Sequence, residues 1–136
     1  MKKLQEFLIG QDSKVIKEIA VAGAVIIKSN PEGNDSVLLI QRSITDHWKL
    51  IWEFPRGKMN KNEKFIKTTL KREVKEETGL DIDIVKYIDK YEYIAENGRR
   101  KSTQYNFLCK LTNSNQTIKL SKEHQDYKWV SSVGEV

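Results

Sequence analysis

Three acids crowd onto two turns of one short stretch. In KREVKEETGL, Glu73, Glu76 and Glu77 follow directly on Arg72. If the stretch is helical, Glu77 sits about 40° from Glu73 and Glu76 about 60° to its other side, so the three project within an arc of roughly 100°. Like charges at i, i+3 and i+4 weaken a helix, and the one nearby cation between them, Lys75, points elsewhere. Two readings remain open on these residues alone. The acids form an exposed turn paired with distant lysines, or they hold a hard divalent cation such as Mg²⁺, which takes carboxylate oxygens, keeps some waters and also ligates substrate phosphates. The crowding is conspicuous because the chain as a whole is basic, with 24 Lys+Arg against 19 Asp+Glu and a net charge of +5. That excess fits an anionic ligand such as a nucleotide or RNA, and equally fits lysines on solvated faces.

The elements that must position these acids can be read from pattern. Ile66, Leu70 and Val74 recur every four residues, which predicts a helix over about 65–78, and Gly79 is placed to cap it in the left-handed conformation. Before it, IAVAGAVIIK (19–28) and VLLIQR (37–42) read as strands joined across the turn cluster SNPEGNDS. Pro55 and Gly57 in IWEFPRGK are expected to stop any regular element there. After the helix, DIDIVKYIDKYEYIA (81–95) reads as a strand, ENGRRKS as a turn, TQYNFLCKL (103–111) as an alternating strand and EHQDYKWV as the approach to a last one. The sum is a single mixed α/β or α+β domain over 1–136. The longest apolar run, IAVAGAVII, is far short of a spanning helix. A lone Cys109 suggests a reducing, cytoplasmic setting.

The spacing around the acids carries more. Gly57, five residues and Glu63 are followed, after eight residues, by Arg72-Glu73-Val74-Lys75-Glu76-Glu77-Thr78-Gly79-Leu80. This resembles the box of the Nudix family: Gly, five residues, Glu, seven residues, then Arg-Glu-apolar-x-Glu-Glu-x-Gly-apolar. The second half matches at every fixed position, and AVAGAVII, WEFPRGK and EHQDYKWV extend the likeness over most of the chain. One departure stands out, since eight residues rather than seven separate Glu63 from Arg72. In an unbroken helix the extra residue would swing Glu63 by about 100°. Either the loop absorbs it, or Glu63 loses the Arg-supporting role that its counterpart has in the family. Lys64, at the strict spacing, has the wrong sign to replace it.

The resemblance implies an α/β/α sandwich with a mixed sheet and one central catalytic helix. It implies Mg²⁺-dependent hydrolysis, with Mn²⁺ as the alternative ion, of a nucleoside diphosphate linked to another group. Glu73 and Glu77 would hold metal. Glu76 would hold a second metal or act as base toward the attacking water, and Arg72 would brace the carboxylates. Glu123 would add a ligand or a base. Metal ions serve such chemistry by neutralising diphosphate oxygens and acidifying water. Arg56 and Lys58, flanking the helix, are expected on phosphate. Lys101 is a further candidate, whereas Arg99 and Arg100 read as surface cations and His124 as structural. Tyr105 is the leading candidate to stack on a base, although it shares a face with Phe107. Trp48, Tyr87, Tyr91 and Tyr127 are weaker ones.

On substrate, Phe54-Pro55-Arg56-Gly57-Lys58 places a cation where Gly is usual and resembles two subgroups. WEFPRGKMNKNE is nearer the messenger RNA decapping enzymes and bacterial RNA pyrophosphohydrolases. LSKEHQDYKWV and the Lys101–Tyr105 spacing are nearer the diadenosine tetraphosphate hydrolases. Asymmetric cleavage of diadenosine tetraphosphate to ATP and AMP is expected, with RNA 5′-end hydrolysis as the alternative. A non-catalytic nucleotide sensor on the same fold is a reading of another class, against which the intact glutamates argue. A plain RNA-binding module would need a basic stripe interleaved with aromatics, and the lysines are scattered. The family's helix after the last strand has no room before SSVGEV ends. The chain is therefore expected to be a piece of a longer one, or to have that face covered by a partner subunit or by residues 1–15. Oligomeric state leaves no mark in the sequence.

Overall fold

The computed structural model describes residues 17–131 apart from positions 48 and 96. Expectations that fall on Trp48, on residues 1–15 and on the tail beyond residue 131 lie outside these. The apolar run near the start forms β1 (Lys17–Ser29), which turns at Asn30–Asn34 into β2 (Asp35–Arg42). Next come β3 (Trp52–Glu53), β4 (Arg56–Lys58), helix α1 (Ile66–Thr78), β5 (Ile82–Ala95), β6 (Arg100–Leu111) and β7 (His124–Val130).

The strands form one sheet in the order β3-β2-β1-β6-β5, with β4 paired to β1 and β7 to β2. β1 and β6 run parallel from Lys17–Arg100 to Ile27–Lys110 and the remaining pairs are antiparallel, so the sheet is mixed, as expected. Among the described residues there is one helical layer; the second layer of an α/β/α sandwich is not among them. The core lies between sheet and helix: Ala22, Ala24 and Ile26 of β1, Leu38 and Ile40 of β2, Phe107 and Cys109 of β6, and Leu70 and Val74 of α1 are all buried. No helix among the described residues is long and apolar enough to cross a membrane.

Two boundaries differ from expectation. Pro55 does not exclude strand on either side: β3 and β4 flank it, and its carbonyl accepts from the Ala24 N–H at 2.9 Å, so the segment docks on β1 without the proton proline lacks. The turn 96–102 is shorter than its composition suggests. β6 already begins at Arg100, because the parallel register with β1 supplies partners for those amides. The helix has the expected limits. Gly79 adopts φ 75° and donates its N–H to the Lys75 carbonyl, ending α1 as a left-handed cap.

Candidate active site

The site grows from the C-terminal half of α1. Its apolar stripe of Leu70 and Val74 continues one turn on into Glu77, so a carboxylate is carried to the edge of the core and is only 6% exposed. The Arg56 amide donates to Glu77 Oε1 at 3.0 Å. Burial, then Glu73, Glu53 and Glu123, push the Glu77 carboxyl up to about 8, with the Arg56 N–H opposing them. Glu73 is raised as well, first by burial and further by Glu76 and Glu123, against the pull of Arg72.

Gly57 of β4 explains how Glu73 comes so close to the sheet. A Cβ on residue 57 would overlap the Glu73 carboxyl group, so only glycine lets this acid lie across the strand.

Arg72 binds the box together. Its Nε and Nη2 donate to the two oxygens of Glu63 at 2.8 and 2.9 Å. Nη1 donates to Glu73 at 2.8 Å and to Glu76 at 3.1 Å, and Nη2 also reaches the Lys58 carbonyl at 2.9 Å. All five guanidinium protons are thus engaged. Glu63 keeps its Arg-supporting position despite the longer spacing. The helix begins only at Ile66, so the loop 59–65 takes up the extra residue. Glu63 is further fixed by the Asn60 amide and the Thr69 hydroxyl. With Arg72 foremost, these donors draw its carboxyl down to about 2.

Glu123 joins the cluster from the loop before β7. That loop is pinned to the end of α1 by Ser121 N–H to Glu77 O at 3.1 Å and Lys119 N–H to Thr78 O at 2.8 Å. Glu73, Glu77 and Glu123 line one cavity of about 610 Å³ together with Arg42, Arg56, Lys58, Asn60, Tyr93 and Arg100. Glu76 does not share it; it is more than half exposed and faces Arg72.

The other predicted residues divide. Arg56 is held by Glu53 at 3.3 Å, Tyr93 Oη at 3.2 Å and Gln104 Oε1 at 3.1 Å, with its guanidinium in the cavity wall. Lys101 is drawn away to Glu92 on β5 at 3.5 Å. Tyr105 packs against the core on the other face of β6, because the strand's alternation turns Gln104 toward Arg56 and Tyr105 from it. Tyr93, on the neighbouring strand, is the aromatic that lines the cavity among the described residues. Tyr87 packs edge-on against Phe107, and Tyr127 is exposed on β7.

Sequence reasoning missed Glu53. It accepts from Arg42 Nε at 3.0 Å and from Arg56, and lies 2.8 Å from His124 Nε2. In spite of its burial, these bonds, His124 first, hold its carboxyl below the usual range. The clue in the sequence is its place in WEFPRGK, three residues before Arg56.

The fit of a divalent cation can be judged on the structure itself. The carboxylates converge without lysine partners among the described contacts, and the buried Nδ1 of His124 has no hydrogen-bond partner and faces them. Oxygen donors with one unpaired nitrogen suit a divalent metal.

A mixed sheet, one helix bearing the Arg-Glu-x-x-Glu-Glu constellation, and a cation-rimmed cavity define a Nudix-type domain. The model of the NUDIX domain matches residues 19–132, and the chain belongs to that family. It is 40% identical over 92 residues to the m7GpppN-mRNA hydrolase of Saccharomyces cerevisiae, covering 68% of this chain and 8% of that protein. It is 32% identical over 97 residues to the asymmetrical bis(5′-nucleosyl)-tetraphosphatase of Mus musculus, covering 68% of this chain and 62% of that one. The chain thus spans less than two thirds of these curated relatives. Among solved structures, a C. elegans Ap4A hydrolase binary complex superposes with a TM-score of 0.69 at 28% identity, covering 83% of this chain and 80% of that one.

Proposed function

We propose that this protein is a divalent-metal-dependent Nudix hydrolase that cleaves diadenosine tetraphosphate asymmetrically, adding water across one phosphoanhydride to give ATP and AMP. The observation that carries the reading is the convergence of Glu73, Glu77 and Glu123 on one cavity whose rim is cationic. Acids alone would repel a polyphosphate, and cations alone would only bind it. A bound divalent ion supplies charge neutralisation and a more acidic water.

The chain's own residues do the rest. Glu73 and Glu77, with Glu123, would hold the ion. Arg72 fixes the box carboxylates in place. Arg56, positioned by Glu53 and Gln104, and Lys58 would take phosphate oxygens. Tyr93 offers a ring and a hydroxyl beside Arg56. Glu76, exposed at the helix surface, or Glu123 would accept the proton of the attacking water. The likeness to the tetraphosphatases runs through most of the length of those proteins, which favours this substrate. The higher identity to the yeast hydrolase supports RNA 5′-end hydrolysis as the second reading.

The test is release of ATP and AMP from diadenosine tetraphosphate with Mg²⁺ or Mn²⁺, beside capped and triphosphorylated RNA. Metal-dependent ATP and AMP are expected, and their loss with EDTA. Turnover of RNA alone moves the assignment to the second reading. Turnover of neither, with tight nucleotide binding, would identify a sensor. Glu76→Gln, which removes no ligand of the ion in this reading, identifies the base: a loss of at least about 10²-fold in kcat assigns the role to Glu76, and kcat kept within about threefold leaves it to Glu123.

A further inference from the structure

His124 was expected to be structural, and one of its nitrogens is. Nε2 lies 2.8 Å from Glu53 Oε2, on a carboxylate that already receives Arg42 and Arg56. Such a carboxylate is an acceptor, so Nε2 is the donor and carries the proton. In the neutral ring Nδ1 is then left with its lone pair. The side chain is fully buried, and Nδ1 has no hydrogen-bond partner. A buried acceptor without a partner is costly. Nor would a proton on Nδ1 remedy this, because the nearest carboxylate oxygen, Glu77 Oε2, is 4.0 Å away and beyond hydrogen-bond reach.

What Nδ1 faces is chemically specific. Ligand atoms of Glu77, Glu123 and His124 all lie within 4.8 Å of one another. Glu77 Oε1 is occupied by the Arg56 amide, which leaves Oε2 for this side. Atoms so placed close on one ion at about 2.0–2.3 Å after small side-chain shifts. We propose that His124 Nδ1 is a metal ligand, completing with Glu77 and Glu123 a nitrogen-containing subsite that takes a divalent ion of the first transition series. This rests on the reading that the acidic end of α1 holds a divalent cation, and it adds to that reading the ion's class and a third donor. Glu53 is the outer partner that fixes the ring's tautomer and orientation, an arrangement common behind metal-bound imidazoles. An imidazole donor strengthens the preference for Mn²⁺, Co²⁺ or Zn²⁺ over Mg²⁺ beyond what oxygen donors alone give at this subsite.

The chain has two histidines, so the imidazole nitrogens of the untagged ¹⁵N-labelled protein can be assigned with a His47→Gln variant. Titration with Zn²⁺ is expected to move the His124 Nδ1 resonance far from its free lone-pair position while Nε2 keeps its proton and the His47 ring is unmoved. Binding of Zn²⁺ with His124 Nδ1 unchanged overturns the proposal, as does failure of Zn²⁺ to bind. In parallel, His124→Asn is expected to weaken Mn²⁺ binding by calorimetry at least about tenfold, the lower range for loss of an outer-shell partner, with Mg²⁺ binding less affected. Equal Mn²⁺ affinity in a folded variant also overturns it. Replacing a fully buried ring can cost folding, and the wild-type spectrum decides the matter without the variant. Mg²⁺-supported turnover of diadenosine tetraphosphate with an unmoved His124 sinks the ligand and leaves the hydrolase. A shifted His124 without turnover does the reverse.

Discussion

Single residues here are constrained by what lies against them, and three consequences can be measured. Gly57 is glycine because Glu73 crosses it. Gly57→Ala should leave a folded protein, since the obstructing group is the end of a flexible side chain. It should also expel Glu73 from the cavity. The expected result is Mn²⁺ affinity lowered about tenfold or more by calorimetry, with little change in thermal midpoint. Cys109 is buried in the core, and that burial pushes its thiol up to about 12, with Lys71 opposing. It should not react with a disulfide reagent at neutral pH in the native protein and should react fully once unfolded. Glu63 titrates at about 2 instead of the ordinary 4.5 because Arg72 and the Asn60 amide donate to its ionised form. A depressed carboxyl stabilises the fold above the unfolded value, and that contribution is lost as pH falls from about 4.5 toward 2. The gap in thermal midpoint between wild type and Glu63→Gln should therefore be widest above pH 5 and close through that window.

At the scale of elements, α1 has two functions on one surface. Leu70 and Val74 seal the helix to β1, and the same stripe delivers Glu77 to the site. Leu70→Ala should cost about 2–5 kcal/mol in denaturant unfolding, since a fully buried side chain is removed from a packed core. Gly79→Ala should cost about 1 kcal/mol, chiefly through the positive φ, as the nearest neighbour of an added Cβ is Lys119 Cβ at an ordinary 3.5 Å. The limits of α1 were legible because period, cap and box agree on them. The fate of the extra residue before Arg72 was not. Spacing along a chain describes a helix, and Glu63 lies in a loop, where the route between two residues is free.

Across the whole molecule, the cavity draws on β1, β2, β4, α1, β5, β6 and the loop before β7, and the parallel pairing of β1 with β6 brings the first of these strands alongside the last. Gly23 of β1 shows the coupling. A Cβ there would overlap Asn106 Oδ1 and come within 2.8 Å of Gln104 Nε2. Gln104 in turn holds Arg56. Gly23→Ala is expected to loosen Arg56 and raise KM for the polyphosphate several-fold, with kcat less changed.

The sequence by itself determined the helix, its cap, the strand segments and the carboxylate set, because each is written in local period or in a fixed string of neighbours. Only the tertiary structure decided that Tyr93 lines the cavity and Gln104 holds Arg56 at its wall, while Tyr105 packs on the core and Lys101 pairs with Glu92. Which side of β6 meets the site depends on how that strand pairs with β1 and β5, and alternation alone gives two faces without saying which is which. The same holds for Glu53 and His124. They come from strands on either side of β2, and their partnership exists only because both are hydrogen-bonded to it.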